Sequence, residues 1–263
     1  MASDHKSSLK LGIQAIGRML EVRRSMGVTE LAQQLGIAKS SAHDLLQSLR
    51  ELGFVEQDSK TARYAISPEI FQFVHQIAAQ FGANSKLHDF IREEAARLRC
   101  SIYVGTLSGR NTYVLCAAGP RADTTTLGVR TPAFMSSIGR ILIAQLPRER
   151  WAEYGPQPGD TKLTEWTNLD PKRHLAAVER AARDGVAWNE QETGRGICSV
   201  AAPLLEGDGP ARRAVGIVHS YTDWVALDKE ELAAMVKTLA EKISQLLAPV
   251  LLRRATVKKA APK

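Results

Sequence analysis

The chain has 263 residues, 44% of them hydrophobic and 24% charged, which is ordinary for a soluble, folded protein of one or two domains. Its net charge of +7 is uneven: residues 1–67 hold 9 basic and 7 acidic side chains, residues 68–249 hold 21 of each, and residues 250–263 hold 5 basic and none acidic. The excess suggests a polyanionic partner without locating it, and no apolar run approaches the roughly 18–20 residues of a membrane span.

The first elements follow from helical spacing. Leu9, Ile13, Ile16 and Leu20 share one stripe and predict a helix that faces its core with them. Gly27 breaks it, Thr29 suits an N-cap, and a short helix over 30–35 carries Leu31 and Leu35 one turn apart. Gly36 supplies a left-handed turn and Ile37 the corner, before a third helix over 39–52 with Ala42, Leu45, Leu46 and Leu49 inward and Gly53 at its end. Short helix, glycine turn and longer helix make a helix-turn-helix pattern. Strand-like runs over 54–57 and 63–66, parted by Asp58–Thr61, then predict a hairpin where a winged helix carries its wing. On the third helix Lys39, Ser40, Ser41, His43, Asp44 and Gln47 form the polar side, suited to phosphates and base edges of double-stranded operator DNA. Lys60 and Arg63 on the wing are placed for backbone phosphates. Residues 1–67 are therefore expected to be a DNA-binding domain.

Pro68 opens a connecting helix over 68–83, where Ile70, Phe71, Val74, Ile77, Ala78 and Phe81 repeat at helical spacing, as a dimerisation element or a face packed on its own domain. A helix over 86–98 turns Leu87, Phe90, Ile91, Ala95 and Leu98 inward. Runs over 101–107 and 112–117 read as an antiparallel hairpin, with a third strand over 124–129. Helices over 137–145 and 171–184, a strand pair over 199–205 and 214–221, and a last helix over 229–247 complete an α+β domain over 84–249. Residues 250–263 are expected as a disordered basic tail.

Three stretches together resemble the IclR family of transcriptional regulators, nearly end to end. They are the helix-turn-helix VTELAQQLGIAKSSAHDLLQSLRELGFVEQD, the turn and helix MSSIGRILIAQLP, and the block DGVAWNEQETGRGICSVAAPLL. The resemblance implies an N-terminal winged helix-turn-helix joined by a linker helix to a GAF-like α/β effector-binding domain. It implies a homodimer or dimer of dimers regulating a catabolic operon, as repressor or activator, in response to a small carboxylate. Carried over, the effector residues are Ser136, Ser137, Ile138 and Gly139 on the turn, then Cys198, then His219 and Tyr221 on the last strand. A turn with open backbone amides beside a helix start also suits a carboxylate on physical grounds. The chain departs from the family with Asn189 in place of an aspartate, with the larger His219 and Tyr221, which suit stacking on an aromatic acid or else fill the pocket, and with Asp44 where a basic residue is usual. Trp188, beside Asn189, is a further candidate for the effector, with packing as its alternative role.

Two other functions are open to the residues. Cys198 with His219 would serve a cysteine-dependent enzyme as nucleophile and base, and the second domain alone would serve as a ligand-binding module without DNA contact. A lone cysteine at a strand start is more often core, so no catalytic residue is assigned. No two histidines sit at i, i+4 with a third ligand near, and Cys100, Cys116 and Cys198 are odd in number and far apart. No metal, cofactor or disulfide framework is expected. The start, MASDHKSSLK, has no secretory apolar core, consistent with a reduced, cytoplasmic setting and no membrane partner.

Overall fold

The computed structural model describes residues 8–80, 85–122, 126–205 and 209–259. The chain forms two compact units, Met1–Ile77 and Ala78–Lys263.

In the first unit, α1 (Ser8–Val22), α2 (Val28–Leu35) and α3 (Lys39–Glu51) precede the antiparallel strands β1 (Val55–Gln57) and β2 (Tyr64–Ile66). Their core joins Ala15, Met19, Leu31, Leu46, Val55 and a fully buried Tyr64. Each large side chain so buried contributes roughly 1.5–3 kcal/mol before entropy is counted. Gly36 takes the expected left-handed conformation, φ 64°, and turns α2 into α3. The short helix starts at Val28 after Gly27, which makes no side-chain cap bond, so Thr29 is inside the helix rather than its cap.

The face of α1 differs from expectation. Leu9, Ile13 and Leu20 are 73%, 64% and 54% exposed, while Gly12, Ala15 and Met19 are buried. A Cβ at Gly12 would meet Leu45 and Leu49 of α3 at 3.8 and 3.9 Å. Small residues let α1 lie close to α3; of the larger stripe Ile16 packs against this unit's core, while Leu9, Ile13 and Leu20 point away from it. Helix α4 (Ile70–Gln80) follows, with Phe73 stacked on Phe54 at 5.3 Å between ring centres. Phe71, Val74 and Ile77 remain exposed. Phe81 and the rest of 81–83 lie outside the described residues.

The second unit is built on a six-stranded antiparallel sheet of order β5-β4-β3-β8-β7-β6. These strands are β3 (Ser101–Ser108), β4 (Asn111–Ala118), β5 (Arg130–Pro132), β6 (Ala187–Glu190), β7 (Ile197–Leu204) and β8 (Arg213–Ser220). One face carries α5 (Ser85–Leu98) and the long α9 (Lys229–Lys259) over a core that includes Ile102, Val104, Cys198, Val200, Val215 and Ile217. The other face carries α6 (Ser137–Ile143) and α7 (Pro171–Asp184), packed through Ala187, Ala201 and Ala214. Alanines on that face bring the helices near the sheet. The four-residue α8 (Tyr221–Trp224) links β8 toward α9.

The antiparallel α+β arrangement matches expectation, with two differences in the edges. The third strand is β5 over Arg130–Pro132 rather than 124–129; residues 126–128 are bend and turn, and 123–125 lie outside the described residues. Strand β6 was not anticipated, because Ala187, Trp188, Asn189 and Glu190 show no apolar alternation. The last helix runs to Lys259, so residues 250–259 are helical where a disordered tail was expected.

Candidate functional site

On α3, Lys39, Ser40, Ser41, His43 and Asp44 are exposed together near the helix start. Asp44 is 83% exposed, with its carboxylate 3.6 Å from His43 Nδ1. Gln47 is half-buried: its amide donates to Tyr64 Oη at 3.3 Å and lies 3.4 Å from His43 Nε2. At the wing tip, Asp58 accepts from the amides of Lys60 and Thr61 at 3.0 and 2.7 Å, which holds the turn and leaves Lys60 exposed. These acceptances lower the Asp58 pKa, the Thr61 amide first.

Arg63 is engaged inside the unit. Its guanidinium donates to the Ser25 carbonyl at 2.6 Å and to Glu30 at 2.8 Å, joining wing and α2. Glu30 also pairs with Arg24, and hydrogen bonds from Arg24 and then Arg63 hold its carboxyl at about 2. The residue anticipated as a phosphate contact is thus a clamp in this structure. Ser25 and Glu30 carried no sequence signal for this role, because the pairing spans 33 positions or more.

The second unit encloses a cavity of about 330 Å³ on the α6 side of the sheet. Ser136, Ser137, Ile138 and Asn189 line it, as anticipated. Ser136 caps α6, its Oγ accepting from the Gly139 amide at 2.8 Å. Ser137 Oγ and Ser199 Oγ share a hydrogen bond at 2.7 Å. Asn189 donates to Thr193 Oγ1 at 2.9 Å and accepts from the Glu192 amide at 3.0 Å. Tyr103, Thr112 and Tyr113 come from β3 and β4, and Arg121 is the single charged side chain among the described lining residues. Arg121 is placed by its backbone: its amide donates to Ser101 Oγ at 2.9 Å and its carbonyl accepts from Tyr103 Oη at 2.6 Å.

Five anticipated residues do not line this cavity, for one main reason. Side chains alternate faces along a strand, so an offset of one residue selects the opposite side. Ser199 rather than Cys198 faces the cavity from β7, and Gly216 and Val218 rather than His219 face it from β8. Cys198 joins the core under α5 and α9, fully buried, and burial raises its thiol pKa. His219 pairs with it across the strands; burial lowers the imidazole pKa and its Nε2 has no hydrogen-bond partner among the described residues. A thiolate nucleophile is favoured by the opposite shift. Trp188 packs edge-on to Trp224, ring centres 5.7 Å apart, with Lys229 Nζ 5.8 Å from its ring centre. Tyr221 lies beyond the strand end in α8, 45% exposed.

Gly139 is needed for packing rather than for lining: a Cβ there would fall 2.1 Å from the Ala133 carbonyl oxygen. Arg140 was not anticipated. Its guanidinium donates to the Trp188 carbonyl at 2.7 Å and pairs with the Glu192 carboxylate at 2.7 Å, the two side chains being 6% and 13% exposed. This buried pair ties the MSSIGRILIAQLP helix to the DGVAWNEQETGRGICSVAAPLL block. Both residues stood in those stretches, but which charge would meet which is a tertiary fact.

Among the described residues no group of His, Cys, Asp or Glu could hold a metal ion, and no helix is long and apolar enough to cross a membrane. The family model described as IclR helix-turn-helix domain matches residues 13–59, and that described as bacterial transcriptional regulator IclR C-terminal matches residues 84–245. The HTH-type transcriptional regulator KdgR of Dickeya chrysanthemi is 23% identical over 235 residues, covering 88% of this chain and 76% of that protein. A putative transcriptional regulator from Rhodococcus sp. RHA1 superposes with TM-score 0.75 at 24% identity, covering 92% of this chain and 98% of the other. An IclR homolog from Microbacterium hydrocarbonoxydans, solved in complex with 4-hydroxybenzoate, superposes with TM-score 0.70 at 16% identity over 92% of this chain and 99% of the other. With both models matching in order across most of its length, the chain belongs to the IclR family of bacterial transcriptional regulators, a DNA-binding helix-turn-helix domain followed by the family's C-terminal domain.

Proposed function

We propose that this regulator controls a catabolic operon by binding a small carboxylate in the cavity beside α6, and that occupancy changes its affinity for operator DNA. The observation that carries this is the lining of the 330 Å³ cavity, whose size suits a single-ring acid. Arg121 offers a cation to a carboxylate, Tyr103 and Tyr113 flank a planar body, and Ser137, Asn189 and Ser199 accept or donate at a hydroxyl. The complex of the Microbacterium homolog makes 4-hydroxybenzoate the first ligand to try. Calorimetric titration of the full chain with 4-hydroxybenzoate and a panel of small carboxylates is the test. One of them is expected to bind, at least tenfold more weakly to Asn189→Leu by the cost of lost hydrogen bonds (about 1.4 kcal/mol per tenfold), and unchanged to Cys198→Ala. Binding that ignores Asn189→Leu would overturn the site.

For DNA we assign the exposed start of α3, with Lys39, Ser40, Ser41, His43 and Asp44, to the major groove and Lys60 to a phosphate. Gln47 and Arg63 act behind them, holding α3 and the wing. A pseudo-palindromic operator read by two winged helices requires a homodimer, or a dimer of dimers. The exposed stripes of α1 and α4 supply apolar surface for that contact.

A further inference from the structure

α6 and the stretch from the end of β6 toward β7 each show one side to the cavity and the other to a separate cleft. Ser137 and Ile138 face the cavity, while Arg140, one turn on, lines the cleft. Asn189 and Thr193 face the cavity, while Glu190, Gln191 and Glu192 line the cleft. The cleft has a volume of about 530 Å³, and α7 closes its far side with Arg173 and Arg180 on either side of Ala176 and Ala177. Tyr221 and Trp166, 45% and 46% exposed, also line it. A smaller space of about 300 Å³ continues it past Arg180 to Lys229.

Charge in the cleft is unbalanced in a specific way. Glu192 is taken by Arg140, and Glu190 by Lys229 at 2.6 Å. Arg140 is buried, with its Nε lacking a hydrogen-bond partner among the described residues. Among the described residues Arg173 pairs with Asp170, one turn away at 3.8 Å, and Arg180 makes no salt bridge, its charge acting on Asp184 one turn on without contact. Both carboxylates of the cleft are thus engaged, whereas two guanidinium groups stand exposed on one helix beside two exposed rings. Guanidinium forks bind phosphate and carboxylate bidentately, and aromatic rings stack on planar ligands. The alanines between the arginines leave room for a flat body.

We propose that this cleft is a second ligand site, separate from the cavity, for a planar aromatic ring carrying a doubly charged anionic group. A phosphate monoester such as a mononucleotide and an aromatic dicarboxylate share that chemistry. The proposal is independent of the DNA and effector readings, since it concerns another face of α6.

The test titrates the full chain with adenosine 5′-monophosphate in one arm and phthalate in the other, following tryptophan fluorescence and heat. Saturable quenching by at least one probe is expected; the nucleotide alone assigns a phosphate ester, phthalate alone a dicarboxylate, and both the shared dianion. Trp166→Phe should remove the quenching while calorimetric binding persists. Joint replacement Arg173→Ala and Arg180→Ala, both on the exposed side of α7, should raise the dissociation constant about tenfold or more. Ser199→Ala, in the cavity, should leave it unchanged. Absence of saturable quenching by both probes, Trp166 quenching that survives the double arginine replacement, or quenching lost with Ser199→Ala would each overturn the proposal.

Discussion

Gly139 sets the approach of α6 to the 3-10 turn over Ala133–Met135 before it, and no other residue fits there without displacing backbone. Gly139→Ala, with its Cβ 2.1 Å from the Ala133 carbonyl oxygen, is expected to cost about 1–3 kcal/mol in urea unfolding. The Arg140–Glu192 pair is more sensitive. Glu192→Gln leaves a buried cation uncompensated, and about 3–5 kcal/mol is expected from that loss, measurable as a lower urea midpoint with an unchanged slope. In the first unit Glu30 has its carboxyl lowered from 4.5 to about 2 by Arg24 and Arg63. A depressed folded pKa contributes stability that is complete above the unfolded value and disappears as pH falls. Acid titration of the wild type should therefore weaken the first unit between pH 4.5 and about 2. Arg63→Ala should shrink that dependence while leaving the exposed face of α3 in place.

At the scale of elements, the apolar stripes on α1 and α4 share one consequence. Ile13→Lys combined with Ile77→Lys removes exposed apolar surface without touching either core, so the folded chain should persist while its sedimentation mass falls toward that of a single chain. Helix periods were legible in the sequence wherever one face alone was apolar, as in α3 and α7, the latter recovered to the residue. On α1 both edges are apolar, and spacing cannot tell which one a neighbouring helix will meet. Gly12 and Ala15 were the local signal, since small residues mark close approach. The cavity was half legible. Its turn, Ser136 to Ile138, is local and came through intact, but Cys198 and His219 failed on strand parity. Parity in a sheet buried on both faces leaves no polar alternation to read, as Ile197–Leu204 illustrates with six buried residues. Arg121 carries no local signal, since its place depends on backbone bonds from just after β4 back to Ser101 and Tyr103.

For the whole molecule, the net charge of +7 says little about the face proposed for DNA. Five of the basic residues lie beyond residue 249, whereas the exposed face of α3 offers one lysine, one histidine and an aspartate among its hydroxyls. Lys60→Ala should weaken binding to all sequences alike and reduce the slope of log affinity against log salt by about 0.9, one phosphate contact. Removing residues 250–263 should lower that slope too, without changing the preferred sequence. The most direct measurement is fluorescence anisotropy of the full chain on DNA flanking its own gene, at low salt, with and without the carboxylate that binds the cavity most tightly. Binding is expected, with an affinity that shifts about fivefold or more when the ligand is present and no shift in Asn189→Leu. Failure to bind that DNA, or an affinity indifferent to a ligand that occupies the cavity, would contradict it.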